Sequence, residues 1–155
     1  MSYDFSVKPI KAFRSDLGKV NIIVTGKLGV GKSTLINAMF GKEFARTGEG
    51  RLITKEIKEY SCGEYPVSLI DTKGIELSSY KNDINDIEKY VKQHQESKDT
   101  HSHIHVAWVC IPEYASRIED VYKELIGMLS QYMPVIAVIT KLGFDSELQN
   151  TIKME

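Results

Sequence analysis

One short segment constrains the fold of this chain more than any other: the glycine-bearing loop Gly26–Ser33. Its sequence, GKLGVGKS, fits the pattern GxxxxGK[ST]. The β-branched run Val20–Thr25 precedes the loop and predicts a strand, whereas residues 32–40 carry apolar side chains at helical spacing. The pattern requires this context of strand, loop and helix, which makes a chance match a poor explanation.

The loop has the chemistry of a phosphate site. Glycines let successive backbone N–H groups turn inward around an anion, and the following helix adds the positive end of its dipole. Lys32 is placed to bridge the β- and γ-phosphates of a nucleotide, and the Ser33 hydroxyl to bind Mg²⁺. The simpler alternative is a glycine-rich turn capped by Ser33. The predicted phosphate-binding residues are Gly26, Leu28, Gly29, Val30, Gly31, Lys32, Ser33 and Thr34.

Composition favours one ordinary globular domain. The 155 residues are 42% hydrophobic and 26% charged, with a formal net charge of -1, which gives no signal for nonspecific binding to nucleic acid or anionic membranes. No apolar run approaches the ~20 residues needed to cross a bilayer. Residues 1–19 mix charges throughout and lack the apolar stretch of a secretion signal. We therefore expect a cytoplasmic protein with an N-terminal extension, residues 1–18, and one domain, residues 19–155.

Alternating strand and helix patterns predict a layered α/β domain. After the first strand and helix, the predicted elements are strands 53–60 and 66–71, a helix 83–95, a strand from about 104, a helix capped by Ser116 and a strand 135–140. A turn at Gly63-Glu64 makes the second and third strands an antiparallel hairpin. The order β-α-β-β-α-β-α-β predicts a mostly parallel sheet with one antiparallel edge strand and helices on both faces.

Two further elements predict a metal site. Asp71-Thr-Lys-Gly74 ends the strand 66–71, where a neighbour of the first strand would present the Asp71 carboxylate to a metal ion. The backbone N–H of Gly74 would then contact a γ-phosphate oxygen without side-chain hindrance; the alternative is an ordinary turn. Thr47 and Thr54 are the threonines that a mobile loop could bring to Mg²⁺. Thr54 is preferred because it stands where the loop meets the alternating strand, and a solvent-facing strand threonine is the alternative.

These elements resemble the G1, G2 and G3 motifs of the translation-factor-related (TRAFAC) small GTPases. The string GVGKSTLINAMFG is especially similar to the Era/TrmE-like branch, and the resemblance covers about residues 18–145. It implies a three-layer α-β-α P-loop NTPase (Ras-like) fold that binds GTP or GDP with Mg²⁺. The resemblance also implies that the loop around Thr54 is switch I and the segment after Gly74 is switch II. In the GTP-bound form, both would be available to bind an effector protein. The implied catalytic residues are Lys32, Thr54 and Gly74, and the implied metal ligands are Ser33, Thr54 and Asp71.

The base-reading motif of that family is incomplete in this chain. The family pattern [NT]KxD corresponds to Thr140-Lys141-Leu142-Gly143, which lacks the aspartate that accepts hydrogen bonds from guanine. Asp145 lies two positions later, where a shift of the loop would let it substitute. Thr140 and Lys141 are therefore either the guanine loop or an ordinary strand terminus.

Two other departures concern catalysis and the sheet edge. Ile75 stands where Ras-like proteins have the glutamine that orients the attacking water, so we expect slow hydrolysis. In that family a last strand, the G5 loop and a last helix follow, and the sequence ends at Glu155 before these elements could be formed. We therefore expect an exposed sheet edge, weak nucleotide binding and a tendency to self-associate.

Two other functions stay open at this point. One is a nucleotide-binding interaction module that does not hydrolyse and is completed by a partner chain, and the other is a P-loop ATPase or kinase. A separate feature is the alternation of His101, His103 and His105, which has the spacing of metal ligands on an extended chain. Solvated or loop-bonded histidines are the more ordinary interpretation of that pattern.

Overall fold

The computed structural model describes residues 18–40, 51–52, 56–61, 66–113 and 120–140. Six strands and three α-helices lie within these ranges. The strands are β1 (Val20–Gly26), β2 (Arg51–Leu52), β3 (Ile57–Ser61), β4 (Val67–Thr72), β5 (Val106–Pro112) and β6 (Val135–Thr140). The helices are α1 (Lys32–Phe40), α2 (Tyr80–Gln95) and α3 (Asp120–Leu129). No helix in the described ranges is long and apolar enough to span a bilayer.

The strands form one sheet in the order β2-β3-β4-β1-β5-β6. β4, β1, β5 and β6 run parallel, whereas β3 pairs antiparallel with β4 and with the two-residue β2. The predicted α/β fold, its mostly parallel sheet and its antiparallel hairpin are confirmed. The short β2 was not predicted, because two residues are too few to show a hydrophobic periodicity.

Two apolar clusters cover the two faces of the sheet. Along β1, the Ile23 side chain packs under α2 and α3, whereas Ile22 and Val24 pack with Ile36 of α1. A parallel strand that is buried on both faces lacks a solvated polar side, which explains the apolar run 22–24 within β1. The three-layer α-β-α arrangement is therefore confirmed.

Several predicted boundaries differ from the structure. β3 begins at Ile57, and residues 53–55 lie outside the described residues. α2 begins at Tyr80 rather than Asp83. The Asp83 carboxylate accepts hydrogen bonds from the backbone N–H of Glu76 at 3.0 Å and the hydroxyl of Ser79 at 3.1 Å, and so holds the turn before the helix. The predicted cap Ser116 and most of the extension 1–18 also lie outside the described residues.

β6 forms one edge of the described sheet. Its residues 135–140 match the predicted strand, and Ile136 and Ile139 are 50% and 49% exposed. These apolar side chains are consistent with the expected exposed edge, whereas self-association through it stays a prediction.

Core packing predicts a contrast between two matched substitutions. Leu125→Ala removes a fully buried side chain where α3 packs on the sheet, and we expect it to lower the free energy of unfolding by about 2 to 5 kcal/mol. Ile136→Ala on the half-exposed edge should cost less than about 1.5 kcal/mol. Urea denaturation of both variants measures the difference. Equal losses would contradict the packing of α3 against the sheet.

Candidate functional site

The loop between β1 and α1 turns through glycines. Gly29 and Gly31 have φ angles of 74° and 101°, a region that side-chain-bearing residues rarely adopt. The backbone N–H of Val30 donates to the carbonyl of Lys27 at 3.2 Å, and that of Leu35 donates to Gly31 at 3.0 Å, where the helix begins. The loop thus leads directly into the N-terminus of α1, as a phosphate site requires.

The end of β6 braces this loop. The Thr140 hydroxyl donates a hydrogen bond to the carbonyl oxygen of Val30 and lies 3.4 Å from the carbonyl oxygen of Ile111. Thr140 therefore links the predicted base-reading segment to the phosphate loop. Lys141 and Asp145 lie outside the described residues, so a contact with a guanine base stays a prediction.

A cavity of about 430 Å³ opens beside the loop. Among the residues that line it are Leu28, Gly29, Val30, Gly31, Lys32, Ser33, Thr34, Asp71 and Gly74. The structure thus brings together nine of the predicted site residues from two separate stretches of the chain. Gly26 lies at the end of β1, beneath the loop, and Thr54 and Thr47 lie outside the described residues.

Besides the exposed Lys73, the charged residues that line the cavity are Lys32 and Asp71. Lys32 is 8% exposed, and burial lowers the pKa of its ammonium while the Asp71 carboxylate acts in the opposite direction. Burial raises the pKa of Asp71 to about 6, although the charges of Lys32 and Lys58 oppose that shift. For both residues, desolvation thus shifts the pKa more than the attraction between them does. An anion bound near Lys32 and a cation bound near Asp71 would stabilise the charged form of each side chain.

The oxygen donors at the cavity fit Mg²⁺. Asp71 Oδ1 is buried and finds no hydrogen-bond partner among the described residues. Ser33 and Asp71 also line an adjoining cavity of about 240 Å³. A carboxylate and a hydroxyl are hard oxygen ligands of the kind that Mg²⁺ takes alongside phosphate oxygens and water. An unsatisfied buried carboxylate oxygen beside a hydroxyl is the observation that supports a cation at this position.

The segment after Asp71 is tied to the phosphate loop through its backbone. The backbone N–H of Ile75 donates to the Gly26 carbonyl at 2.9 Å, and that of Leu28 donates to the Ile75 carbonyl at 3.0 Å. Gly74 lies so close that a Cβ on it would be 2.5 Å from the Cα of Leu28. Any larger residue at position 74 would therefore push the two segments apart.

The Ile75 side chain does not face the cavity. It is 1% exposed and packs in the apolar cluster under α2 and α3. The side chain therefore cannot orient a water molecule at a bound phosphate, in agreement with the interpretation of the sequence.

Two of the three alternating histidines place an imidazole nitrogen against a backbone carbonyl: His103 Nε2 lies 2.7 Å from the Ser97 oxygen and His105 Nε2 lies 3.2 Å from the Thr100 oxygen. A short 3₁₀ turn at Thr100–Ser102 breaks the extended conformation on which metal-ligand spacing depends. The Asn21 side-chain amide donates to the carbonyls of His101 and His103 at 2.8 Å, and its backbone N–H donates to His105 Nδ1 at 2.9 Å. Within the described ranges, no group of three or more His, Cys, Asp and Glu side chains is placed to hold a metal ion.

Lys58 is a charged residue of the site that the sequence did not indicate. Lys58 of β3 lines the 240 Å³ cavity with Ser33 and Asp71, and its charge acts on the Asp71 carboxylate. The alternating pattern of residues 53–60 placed Lys58 on a strand. Which residue it faces depends on the pairing of β3 with β4, which that pattern does not determine.

Comparison with known proteins places the chain in a family. The sequence pattern of the family described as 50S ribosome-binding GTPase matches residues 21–141, more than half of the chain. This span includes the loop, Asp71 and Thr140.

Individual relatives agree with that match. Interferon-gamma-inducible GTPase 10 of Mus musculus is 35% identical over 91 residues, which are 54% of this chain and 21% of the relative. The tRNA modification GTPase MnmE of Wolbachia pipientis subsp. Culex pipiens (strain wPip) is 40% identical over 62 residues, 39% of this chain and 14% of the relative. The chain thus spans a minor part of the length of these curated relatives.

A solved structure shows the same fold. The crystal structure of Toc33 from Arabidopsis thaliana in complex with Mg²⁺ and GMPPNP has a TM-score of 0.55 at 19% identity, covering 84% of this chain and 53% of that one. The fold, the loop geometry and the family match agree, and the chain belongs to the 50S ribosome-binding GTPase family, within the TRAFAC class of G domains.

Proposed function

We propose that this chain binds GTP and GDP with Mg²⁺ and hydrolyses GTP slowly, as a nucleotide-controlled switch. The observation that carries the proposal is one cavity that joins the phosphate loop to Asp71 and Gly74. The family match supports the choice of nucleotide. Mg²⁺ is supported by the buried, unsatisfied Asp71 Oδ1.

The chain's own groups act chiefly by holding charge. The amides of the loop and the Lys32 ammonium would surround the β- and γ-phosphates in a site that excludes water from the lysine. Ser33 and Asp71 would hold Mg²⁺, with Thr54 as a third ligand. When bound, that ion neutralises charge on the phosphate oxygens. A water oxygen would bond to the γ-phosphorus as the bond to the bridging oxygen breaks. GDP takes the electron pair of that bond, and the proton that the water loses goes to the phosphate product.

Slow turnover follows from the position of Ile75. Its side chain is packed in the core, so the attacking water lacks an ordering group from that residue. We propose that the backbone N–H of Gly74 contacts the γ-phosphate of GTP and that loss of this phosphate loosens the segment. The backbone bridge between Ile75 and the loop would then transmit the nucleotide state to α2.

We also propose that the chain belongs to the Era/TrmE-like branch of the family. Similarity to MnmE over 62 residues supports the Era/TrmE-like branch.

A groove of about 450 Å³ lies between α2 and the ends of β3 and β4, with an apolar floor and a charged rim. Lys73, next to Gly74, lines that groove. We propose that an effector protein binds this groove in a nucleotide-dependent way, because movement of Gly74 would move Lys73 as well.

Lys32→Ala tests the proposed reaction. Because Lys32 is the buried cation of the loop, we expect its loss to lower phosphate release from GTP by about 100-fold or more. Titration with labelled GTP, GDP and ATP, with and without Mg²⁺, measures binding in the same samples. Lys123→Met, which removes an exposed lysine on α3, is the control and should behave like the unmodified chain.

Other results would favour the alternatives. Tight GTP binding without phosphate release in the unmodified chain would indicate an interaction module that does not hydrolyse. Preference for ATP over GTP would indicate an ATPase or kinase, and an equal affinity of Lys32→Ala and the unmodified chain would refute the proposed phosphate site.

Asp71→Asn tests the cost of keeping a metal ligand buried. Burial raises the pKa of Asp71 from 3.8 to about 6, so the folded chain loses stability as pH rises from 3.8 through 6 and the carboxylate ionises. In EDTA at pH 8 we expect Asp71→Asn to raise the free energy of unfolding by about 1 to 3 kcal/mol. The gain should shrink below pH 6.

The matched control removes a carboxylate charge from the surface. Asp86→Asn changes an exposed carboxylate on α2 and should leave stability nearly unchanged. Asp71→Asn should also abolish the effect of Mg²⁺ on nucleotide release. A loss of stability in EDTA at pH 8 would contradict the buried-charge explanation.

A further inference from the structure

Lys58 and Asp71 face each other across two strands. β3 and β4 are antiparallel, and Lys58 and Asp71 are direct partners in their register. The same face of β3 carries Tyr60, which packs in the cluster under α1, so Lys58 and Asp71 lie on the face that carries the phosphate loop and its helix. Direct cross-strand partners have Cβ atoms about 5 Å apart, within reach of a charge interaction.

The adjoining cavity places this pair beside the metal position. Lys58, Ser33 and Asp71 all line the 240 Å³ space, and the Lys58 side chain is half-buried. The Lys58 charge acts on the Asp71 carboxylate. By contrast, the Lys73 ammonium, which lines the same space, is 3.7 Å from a Glu56 carboxylate oxygen and 3.4 Å from one of Glu76. Lys58, in contrast, lies directly across the strand pair from the carboxylate that would hold the ion.

We propose that Lys58 weakens the binding of Mg²⁺ at Ser33 and Asp71 and so speeds the release of bound nucleotide. A lysine ammonium beside the carboxylate repels an incoming divalent cation and compensates the carboxylate when the ion is absent. An ion held by Ser33 and Asp71 would neutralise charge on the phosphates of bound GDP, so weaker ion binding would shorten the residence of GDP. Lys58 is a positioning residue in this scheme and touches neither the nucleotide nor the ion.

The inference rests on the proposed binding of nucleotide with Mg²⁺, and its test separates the two. Release of fluorescent GDP is followed as a function of free Mg²⁺ for the unmodified chain at pH 8. Lys58→Met, Lys58→Gln, Lys58→Arg and the distant control Lys123→Met are measured in the same way. The readouts are the Mg²⁺ concentration that gives half of the slowing, and the release rate in excess EDTA.

We expect Lys58→Met and Lys58→Gln to lower the half-effective Mg²⁺ concentration by about tenfold, the scale of a unit charge acting on a divalent ion at a half-buried site. Lys58→Arg keeps the charge and should stay within about twofold of the unmodified chain. Lys123→Met should not differ from it. In excess EDTA all variants should release GDP at one rate, because the effect of Lys58 passes through the ion.

Two results would overturn the inference. Half-effective concentrations that are unchanged or higher in Lys58→Met and Lys58→Gln would show that the lysine does not oppose the ion. Faster release from these variants in EDTA would show that Lys58 contacts the phosphates directly. If Mg²⁺ does not slow release from the unmodified chain at all, the proposed function fails instead, whatever the variants do.

Discussion

The pairing of β1 with β4 is the constraint on which the site depends. The two strands run parallel with Val24 opposite Asp71, so both end at the same edge of the sheet. At this edge the loop follows β1, and Asp71 lies near the end of β4. A slip of one residue would turn the Asp71 side chain to the opposite face, under α2 and away from the loop. The apolar side chains that alternate between the two cores fix this register.

The site holds two opposite charges in a place where neither is well solvated. Burial shifts the pKa of Lys32 downward and that of Asp71 upward to about 6. Such a site is arranged for its ligands rather than for the stability of the free chain. The phosphates of a nucleotide would compensate the positive charge of Lys32, and a divalent ion would compensate the negative charge of Asp71. Binding of these ligands would therefore stabilise the fold, because a ligand that binds only the folded chain shifts the equilibrium toward it.

Much of this arrangement could be predicted from the sequence because it depends on local pattern. The strand, loop and helix around residues 20–40 have their own periods and turn residues, and the motif assigns Lys32 a role. The start of α2 could not be predicted, since it depends on hydrogen bonds from Glu76 and Ser79 to Asp83. The place of Lys58 depends on strand register, and the His101–His105 stretch bonds to Asn21, a residue distant in the sequence.

In the proposed complex, backbone amides of the loop surround the phosphates of a guanine nucleotide. Two-dimensional ¹H–¹⁵N NMR of the labelled chain, titrated with GDP and Mg²⁺, detects this contact at individual amides. We predict that the largest shifts fall on the amides of residues 29–34, with a smaller change at Thr140. Shifts confined to the groove between α2 and β3, or no saturable shift at millimolar nucleotide, would contradict it.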